Sequence, residues 1–372
     1  MQTIVMTLGE LSGKTYPPII RAGIEAIEQG LTQYSPVEGI YELREAIAAH
    51  YAPNQATIGP QNVMVTAGVR QAVFNVLTNI LSPDDEVILP APYWFAFPSL
   101  VERAGGKLVT LPTHAADNYT LHPKQLEKLI TPKTRLFIFN NPCNPSGRVY
   151  NEAEIDAIVA VLEKNPHVYV LSDEIYEYIN YSKDFRSLET WQSIADRLIT
   201  VSGFSKAFSM SGWRVGYIVA AENLILTFRE YQQVTLSGVS IFTQKAALEA
   251  LRQRDNYLPP LLAELDEKVT LAAELMNTVP NIACPKPQGA YYLFPDVSAY
   301  FGTVSPKGRN VDSAATMVAY LYIEAGVQVF AGDMFGEPRC LRISLVLEKE
   351  QMLEGLNRIK NALLELKPKQ TA

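Results

Sequence analysis

Between residues 60 and 220, short apolar runs alternate with longer segments that carry the three-to-four spacing of a helix. The runs are 62–67 (NVMVTA), 86–90 (EVILP), 107–111 (KLVTL), 134–140 (TRLFIFN), 168–172 (VYVLS), 198–202 (LITVS) and 215–220 (VGYIVA). They are β-branched and nearly continuous in apolarity, the pattern of strands buried on both faces. Helical spacing fills 70–81 and 152–163 between them. Strands alternating with helices predict an α/β fold: a large domain with a mostly parallel seven-stranded sheet and helices on both faces.

After residue 240 the texture changes. Helices are expected over 242–251 and 261–276, separated by the Asn-Tyr-Leu-Pro-Pro stretch 256–260. Scattered strands follow at 290–294, 327–330 and 340–345, with helices near 312–325 and 349–366, the pattern of a smaller α+β domain. Residues 35–257 are therefore assigned to the large domain, and 1–34 with 258–372 to the small one. The N-terminal stretch is too short to fold alone and should pack on a neighbour. The terminal KPKQTA is expected to fray.

Composition narrows the classes. The 372 residues are 48% hydrophobic, ample for sizeable cores, and carry a formal charge of −7 with no basic run, which disfavours a nucleic-acid partner. Three scattered cysteines and four histidines without an HExxH pattern give neither a disulfide framework nor a zinc site. No signal-peptide pattern and no run of about 18 apolar residues occurs, so a soluble, cytoplasmic protein without a membrane partner is expected.

Several segments carry chemistry. In 202–216 (SGFSKAFSMSGWRVG), Lys206 follows an apolar strand, which places its amine at the carboxyl edge of the sheet, where α/β folds bind ligands. Small residues around it let backbone N–H groups approach an anion, and Arg214 adds a cation suited to phosphate. In 66–72 (TAGVRQA), a strand turns into a helix, so Gly68, Val69 and Arg70 can aim backbone N–H groups at phosphate. The run 168–176 ends in Asp173, costly to bury unless paired, with Tyr176 three residues on; Glu174 and Glu177 are expected to be solvated. The segments 140–147 (NNPCNPSG), 91–94 (APYW) and 340–344 (CLRIS) bring Asn144, Trp94 and Arg342. Taken singly, each has a plain structural explanation: a surface lysine, a helix-capping aspartate, a buried tryptophan, a turn.

Taken in order, the segments resemble class I and II aminotransferases, the pyridoxal 5'-phosphate enzymes of fold type I. The resemblance spans Tyr34 to about residue 366. It implies that Lys206 carries the cofactor and moves the proton, with Asp173 on the pyridine nitrogen and Tyr176 and Asn144 on the phenolic oxygen. It places Trp94 against the ring, and Gly68, Val69, Arg70 and Arg214 on the phosphate. Gly203 stands where a branch of the family has Ser, so Ser202, Ser205 or a backbone N–H is expected to supply that donor. Arg342 matches the arginine that grips the substrate's α-carboxylate, in which Asn144 shares. Tyr34 matches a tyrosine that reaches the phosphate of a neighbouring subunit, implying a homodimer with its active site at the interface. The implied reaction is ping-pong transfer of an amino group from an L-amino acid to a 2-oxo acid such as 2-oxoglutarate. A β-eliminating C–S lyase shares these residues, and a non-catalytic regulator on the same scaffold is the alternative from another class.

Overall fold

The computed structural model describes residues 2–52, 58–182 and 184–369. Strand β1 (Ile4–Val5) and helix α1 (Pro17–Glu28) lead into α2 (Tyr41–Tyr51). Next come β2 (Val63–Thr66), α3 (Val69–Ile80), β3 (Glu86–Ala91), α4 (Phe97–Arg103), β4 (Lys107–Pro112), α5 (Pro123–Leu129) and β5 (Thr134–Asn140). They are followed by α6 (Glu152–Glu163), β6 (Tyr169–Asp173), β7 (Leu198–Gly203), β8 (Gly216–Ala220) and α7 (Glu222–Thr235). The remainder is α8 (Ile241–Met276), β9 (Tyr292–Leu293), β10 (Thr303–Val304), β11 (Asn310–Val311), α9 (Ala314–Tyr320), β12 (Val327–Gln328) and β13 (Phe330–Ala331). Last are β14 (Leu341–Ser344), α10 (Lys349–Glu365) and β15 (Lys367–Pro368).

All seven expected runs join one sheet in the order β2–β8–β7–β6–β5–β3–β4, with β8 alone antiparallel. Alternate residues of a strand point to opposite faces, and here both faces are covered. Leu136 and Ile138 of β5 join a core with Val73, Leu77 and Phe228, while Phe137 and Phe139 join another with Ile155, Ile158 and Leu162. Local signals agree with the elements. Helix α6 opens on a capping box, in which the Asn151 side chain accepts from the Glu154 N–H at 3.0 Å and Glu154 accepts from the Asn151 N–H at 2.9 Å.

Smaller sheets accompany a second core, in which Ile4 and Met6 pack with Met276, Val327, Ile343 and Leu356. The N-terminal segment divides between cores. Strand β1 pairs with β12, whereas Ile19 of α1 lies in the core beneath the large sheet, so α1 does not belong with the small domain. The tail also differs from expectation, because β15 pairs with β10; residues 370–372 lie outside the described ones.

The two helices expected around 256–260 are one helix, α8, with Pro259 and Pro260 inside it. Proline removes a donor and leaves the carbonyl four residues back unpaired. Here both prolines, and residues Asp255 and Asn256 whose carbonyls lose their donors, lie on the exposed face, open to water. Leu251, Leu258 and Leu265, spaced by seven, are buried on the opposite face and carry the helix across the break.

Beneath the carboxyl edge of the sheet lie three buried carboxyls. Glu174 and Glu177 are not solvated: the Glu174 N–H extends the β6–β7 ladder to the Val201 carbonyl at 2.9 Å, and the chain then turns, with the Glu177 N–H on the Glu174 carbonyl at 2.8 Å, so both carboxyls stay buried. Glu174 accepts from Ser172 Oγ at 2.8 Å, Glu177 from Ser202 Oγ at 2.8 Å and Tyr217 at 3.0 Å, and Glu189 from Thr200 Oγ1 at 2.7 Å. Burial, reinforced by the neighbouring Glu177, pushes the Glu174 carboxyl up to about 8; burial takes Glu189 to about 7. A carboxyl protonated in the fold and ionised in the unfolded chain stabilises the fold below its ordinary value of 4.5, and that contribution is lost as pH climbs through 7 to 8. The melting temperature of the cofactor-free chain should therefore fall between about pH 5 and about pH 8, and Glu174→Gln should flatten that fall. An unchanged slope in the variant would show that Glu174 is ionised in the fold.

Candidate active site

The carboxyl ends of β2, β3, β5, β6 and β7 open into a cavity of about 660 Å³. Each strand end delivers a residue there: Val69 and Arg70 after β2, Trp94 and Phe95 after β3, Asn140 and Asn144 at the end of β5, Asp173 and Tyr176 at β6, and Ser205 and Lys206 after β7. The small-domain side contributes Tyr292, Phe330 and Arg342, and the N-terminal segment contributes Thr7, Leu8 and Gly9. Peptide bonds Ala91–Pro92, Asn141–Pro142 and Asn144–Pro145 are cis.

One corner is a cradle for an anion. The Arg214 guanidinium donates to the Ser211 carbonyl at 2.8 Å and to the Ala67 carbonyl at 3.1 Å, which lays it against the turn into α3. A Cβ on Gly68, whose φ is +82°, would come within 2.4 Å of that guanidinium. A Cβ on Gly203 would lie 2.7 Å from Gly216 Cα, so the side chain that the family branch carries at this position has no room here. Ser205 does line the cavity. Ser202 does not: it shares a face of β7 with Thr200, and both donate to the carboxyls buried behind the sheet. The expectation that Ser202 contacts phosphate is corrected accordingly.

The opposite wall is charged and buried. Asp173 is 3% exposed and, among the described residues, its carboxyl accepts only the Ile175 N–H, at 3.2 Å; burial pushes it up to about 7 against that bond and the pull of Lys206. Asn140 stitches the neighbouring loop to this strand end, donating to the Asp173 carbonyl at 2.9 Å and accepting from the Asn144 N–H at 2.8 Å. Lys206 Nζ donates to the Gly9 carbonyl at 2.5 Å and lies 5.8 Å from the Tyr176 ring centroid. Tyr291 donates to the same carbonyl at 2.9 Å.

Arg342, 2% exposed, donates to Asn144 Oδ1 at 3.2 Å and to the Thr7 carbonyl at 3.0 Å, while its Nε has no partner among the described residues. Three aromatic rings surround its guanidinium: Tyr292 at 4.5 Å, Phe335 at 4.8 Å and Phe330 at 5.0 Å. Tyr34 is 90% exposed and is not among the cavity's lining residues. Sequence reasoning missed two contributors. Arg70 was read through its backbone alone, yet its side chain lines the cavity with the guanidinium 5.1 Å from the Trp94 ring centroid. Residues 7–9 carry no reactive side chain that could have marked them.

The residues present fit pyridoxal phosphate. A buried carboxyl with no ion pair among the described residues suits a protonated pyridine nitrogen, the Gly68–Arg214 cradle suits a phosphate, and an amine stands in the same cavity.

Comparison with known proteins agrees with this geometry. The model of the aminotransferase class I and II family matches residues 2–359. The bifunctional aspartate aminotransferase and glutamate/aspartate-prephenate aminotransferase of Petunia hybrida is 35% identical over 98% of this chain and 77% of its own length. The aspartate/prephenate aminotransferase of Cereibacter sphaeroides is 36% identical over 94% of this chain and 88% of its own. The crystal structure of the aspartate aminotransferase from Rhizobium meliloti superposes with a TM-score of 0.95 at 31% identity, covering 98% of this chain and 92% of that one. The chain belongs to the class I and II aminotransferases, pyridoxal-phosphate-dependent enzymes that move an amino group from an amino acid to a 2-oxo acid.

Proposed function

We propose that the amino group comes from a dicarboxylic amino acid, aspartate or glutamate, with Arg342 holding the α-carboxylate and Arg70 the distal one. The observation that carries this reading is the position of Arg70: its guanidinium lines the same cavity as Arg342, over the Trp94 ring, and no carboxylate pairs with it among the described residues. A planar guanidinium binds a carboxylate through two parallel bonds. Names of relatives point the same way, since aspartate and prephenate each carry two carboxylates. Trp94, Phe95 and Phe330 line the same cavity as the two arginines and give it apolar walls.

The remaining roles belong to the same proposal. Pyridoxal phosphate supplies the electron sink that no protein side chain offers. Lys206 would hold the cofactor through its amine and would serve as the base that takes and returns the proton of the substrate carbon. Asp173 would keep the pyridine nitrogen protonated, Tyr176 and Asn144 would serve the phenolic oxygen, and Trp94 would cover the ring. Arg214, Ser205 and the N–H groups of Gly68, Val69 and Arg70 hold the phosphate.

The same reading makes the enzyme a cytoplasmic homodimer, with Tyr34 reaching the partner's phosphate. Supporting it, Arg214 also borders a second, more open cavity of about 660 Å³ lined by Ala67, Leu236 and Gly238, which leaves the phosphate corner accessible from outside the chain. Apolar side chains stand exposed at Ile24, Ile27 and Val234. No helix among the described residues is long and apolar enough to cross a membrane.

Three outcomes test this. Lys206→Ala should abolish the visible band of the bound cofactor and all turnover; substantial residual transamination would refute the assignment. Arg70→Gln should lower kcat/KM for aspartate by about 10- to 100-fold, the worth of one charge-assisted bond, and leave leucine or phenylalanine within about twofold. Equal losses for both classes would return Arg70 to the phosphate alone. Finally, mixing Lys206→Ala subunits with Tyr34→Ala subunits should restore activity, because one of the two sites in each hybrid is then intact. If Tyr34 serves its own subunit, every site keeps one defect and nothing is recovered.

A further inference from the structure

Tyr292 stands where the two halves of the cavity meet, and none of the roles above uses it. Its side chain is fully buried from outside yet lines the cavity. Strand β9 pairs with β14 so that Tyr292 sits opposite Ser344, two residues from Arg342 and on the same face of the strand. The Tyr292 ring centroid lies 4.5 Å from the Arg342 guanidinium carbon, and the hydroxyl lies 3.0 Å from that of Tyr176. Tyr291, its neighbour in sequence, is occupied elsewhere, since its hydroxyl bonds to the Gly9 carbonyl.

Each contact has a consequence. The aromatic face attracts the guanidinium and takes the place of water around it, which fixes the plane in which Arg342 presents its donors. Two hydroxyls at 3.0 Å share one bond: one donates and the other accepts. Tyr176 stays protonated, because burial and then the neighbouring phenols Tyr291 and Tyr292 hold it well above the usual tyrosine range. When Tyr176 donates to the cofactor's phenolic oxygen, its own oxygen is left to accept from Tyr292. Accepting that bond makes Tyr176 the stronger donor. The charged and titratable groups facing this pair are Tyr291 beside it on β9, Asp173 at the end of β6, Lys206 after β7 and Arg342 on β14; the N-terminal segment presents backbone carbonyls.

We propose that Tyr292 is a positioning residue with two separable parts: its ring holds Arg342 for the substrate carboxylate, and its hydroxyl, acting through Tyr176, sets the protonation of the bound cofactor. This rests on the reading that Arg342 takes the α-carboxylate and Tyr176 the phenolic oxygen.

The test compares Tyr292→Phe and Tyr292→Met as cofactor-loaded proteins; methionine removes the ring while refilling the space. The readouts are the pH midpoint of the cofactor's visible band and the Kd for succinate, a dicarboxylate without an amino group. A bond donated to the phenolic oxygen favours its ionised form, so weakening that bond moves the midpoint upward. Tyr292→Phe should raise it by about 0.3 of a pH unit, the size of a 10–30% cooperative loss in one charge-assisted bond, with succinate binding within about twofold. Tyr292→Met should give a similar shift and bind succinate about 3- to 10-fold more weakly. An unmoved midpoint in Tyr292→Phe overturns the hydroxyl's part, and undiminished succinate binding in Tyr292→Met overturns the ring's. Two controls separate this from failure of the underlying reading. If Tyr176→Phe leaves the midpoint unmoved, or Arg342→Lys binds succinate as well as the parent, the parent assignment falls. If both controls respond and the Tyr292 variants do not, only the present inference falls.

Discussion

A carboxyl group buried at a strand end, with no ion pair among the described residues, sets the terms for the surrounding structure. Ionising Asp173 in the protein interior is costly, and Lys206 offsets that cost only in part. A ligand that brings its own positive charge to this point removes the conflict. The rest of the cavity suits the other end of such a ligand: an arginine against a turn of close-packed glycines, with the lysine amine in the same cavity. The central sheet makes this possible, because parallel strands end on one edge and five of them contribute residues without needing a long loop.

The layer behind that edge is polar too, and it is closed. Ser172, Thr200 and Ser202 each meet a buried carboxyl on the side of the sheet away from the cavity. Glu177 gathers donors from β7, from β8 and, through His50 at 2.8 Å, from α2. These bonds hold together the strand ends that carry Asp173 and lead to Lys206. Polar networks of this kind add definition to a core when their members are satisfied; here Glu174 Oε2 remains without a partner among the described residues.

Most of the large sheet, and the cluster around Lys206, was legible in the sequence because the signals are local. A buried parallel strand is an apolar run, and the segment from Gly203 to Arg214 is contiguous. What escaped depends on three dimensions. Ser202 and Ser205 look alike as neighbours of Lys206, yet the alternation of β7 sends the first away from the cavity. Pro259 and Pro260 look like a break, but the exposed face of α8 tolerates the lost bonds while the buried stripe does not need them. Arg70 is a helix-start residue in the sequence and a cavity wall in the fold. Residues 7–9 contribute through their backbone, which no residue type announces.

That last contribution ties the site to the order in which the chain is made. The segment ending at Gly9 is anchored by β1, whose partner β12 lies more than 300 residues later, and by Met6, which packs against Gly355 of α10. Contacts that span such distances form late, after the loop between them has closed. During synthesis, the large sheet can assemble while the first residues still lack their place. The carbonyl that meets Lys206 therefore depends on a strand and a helix made more than 300 residues after it.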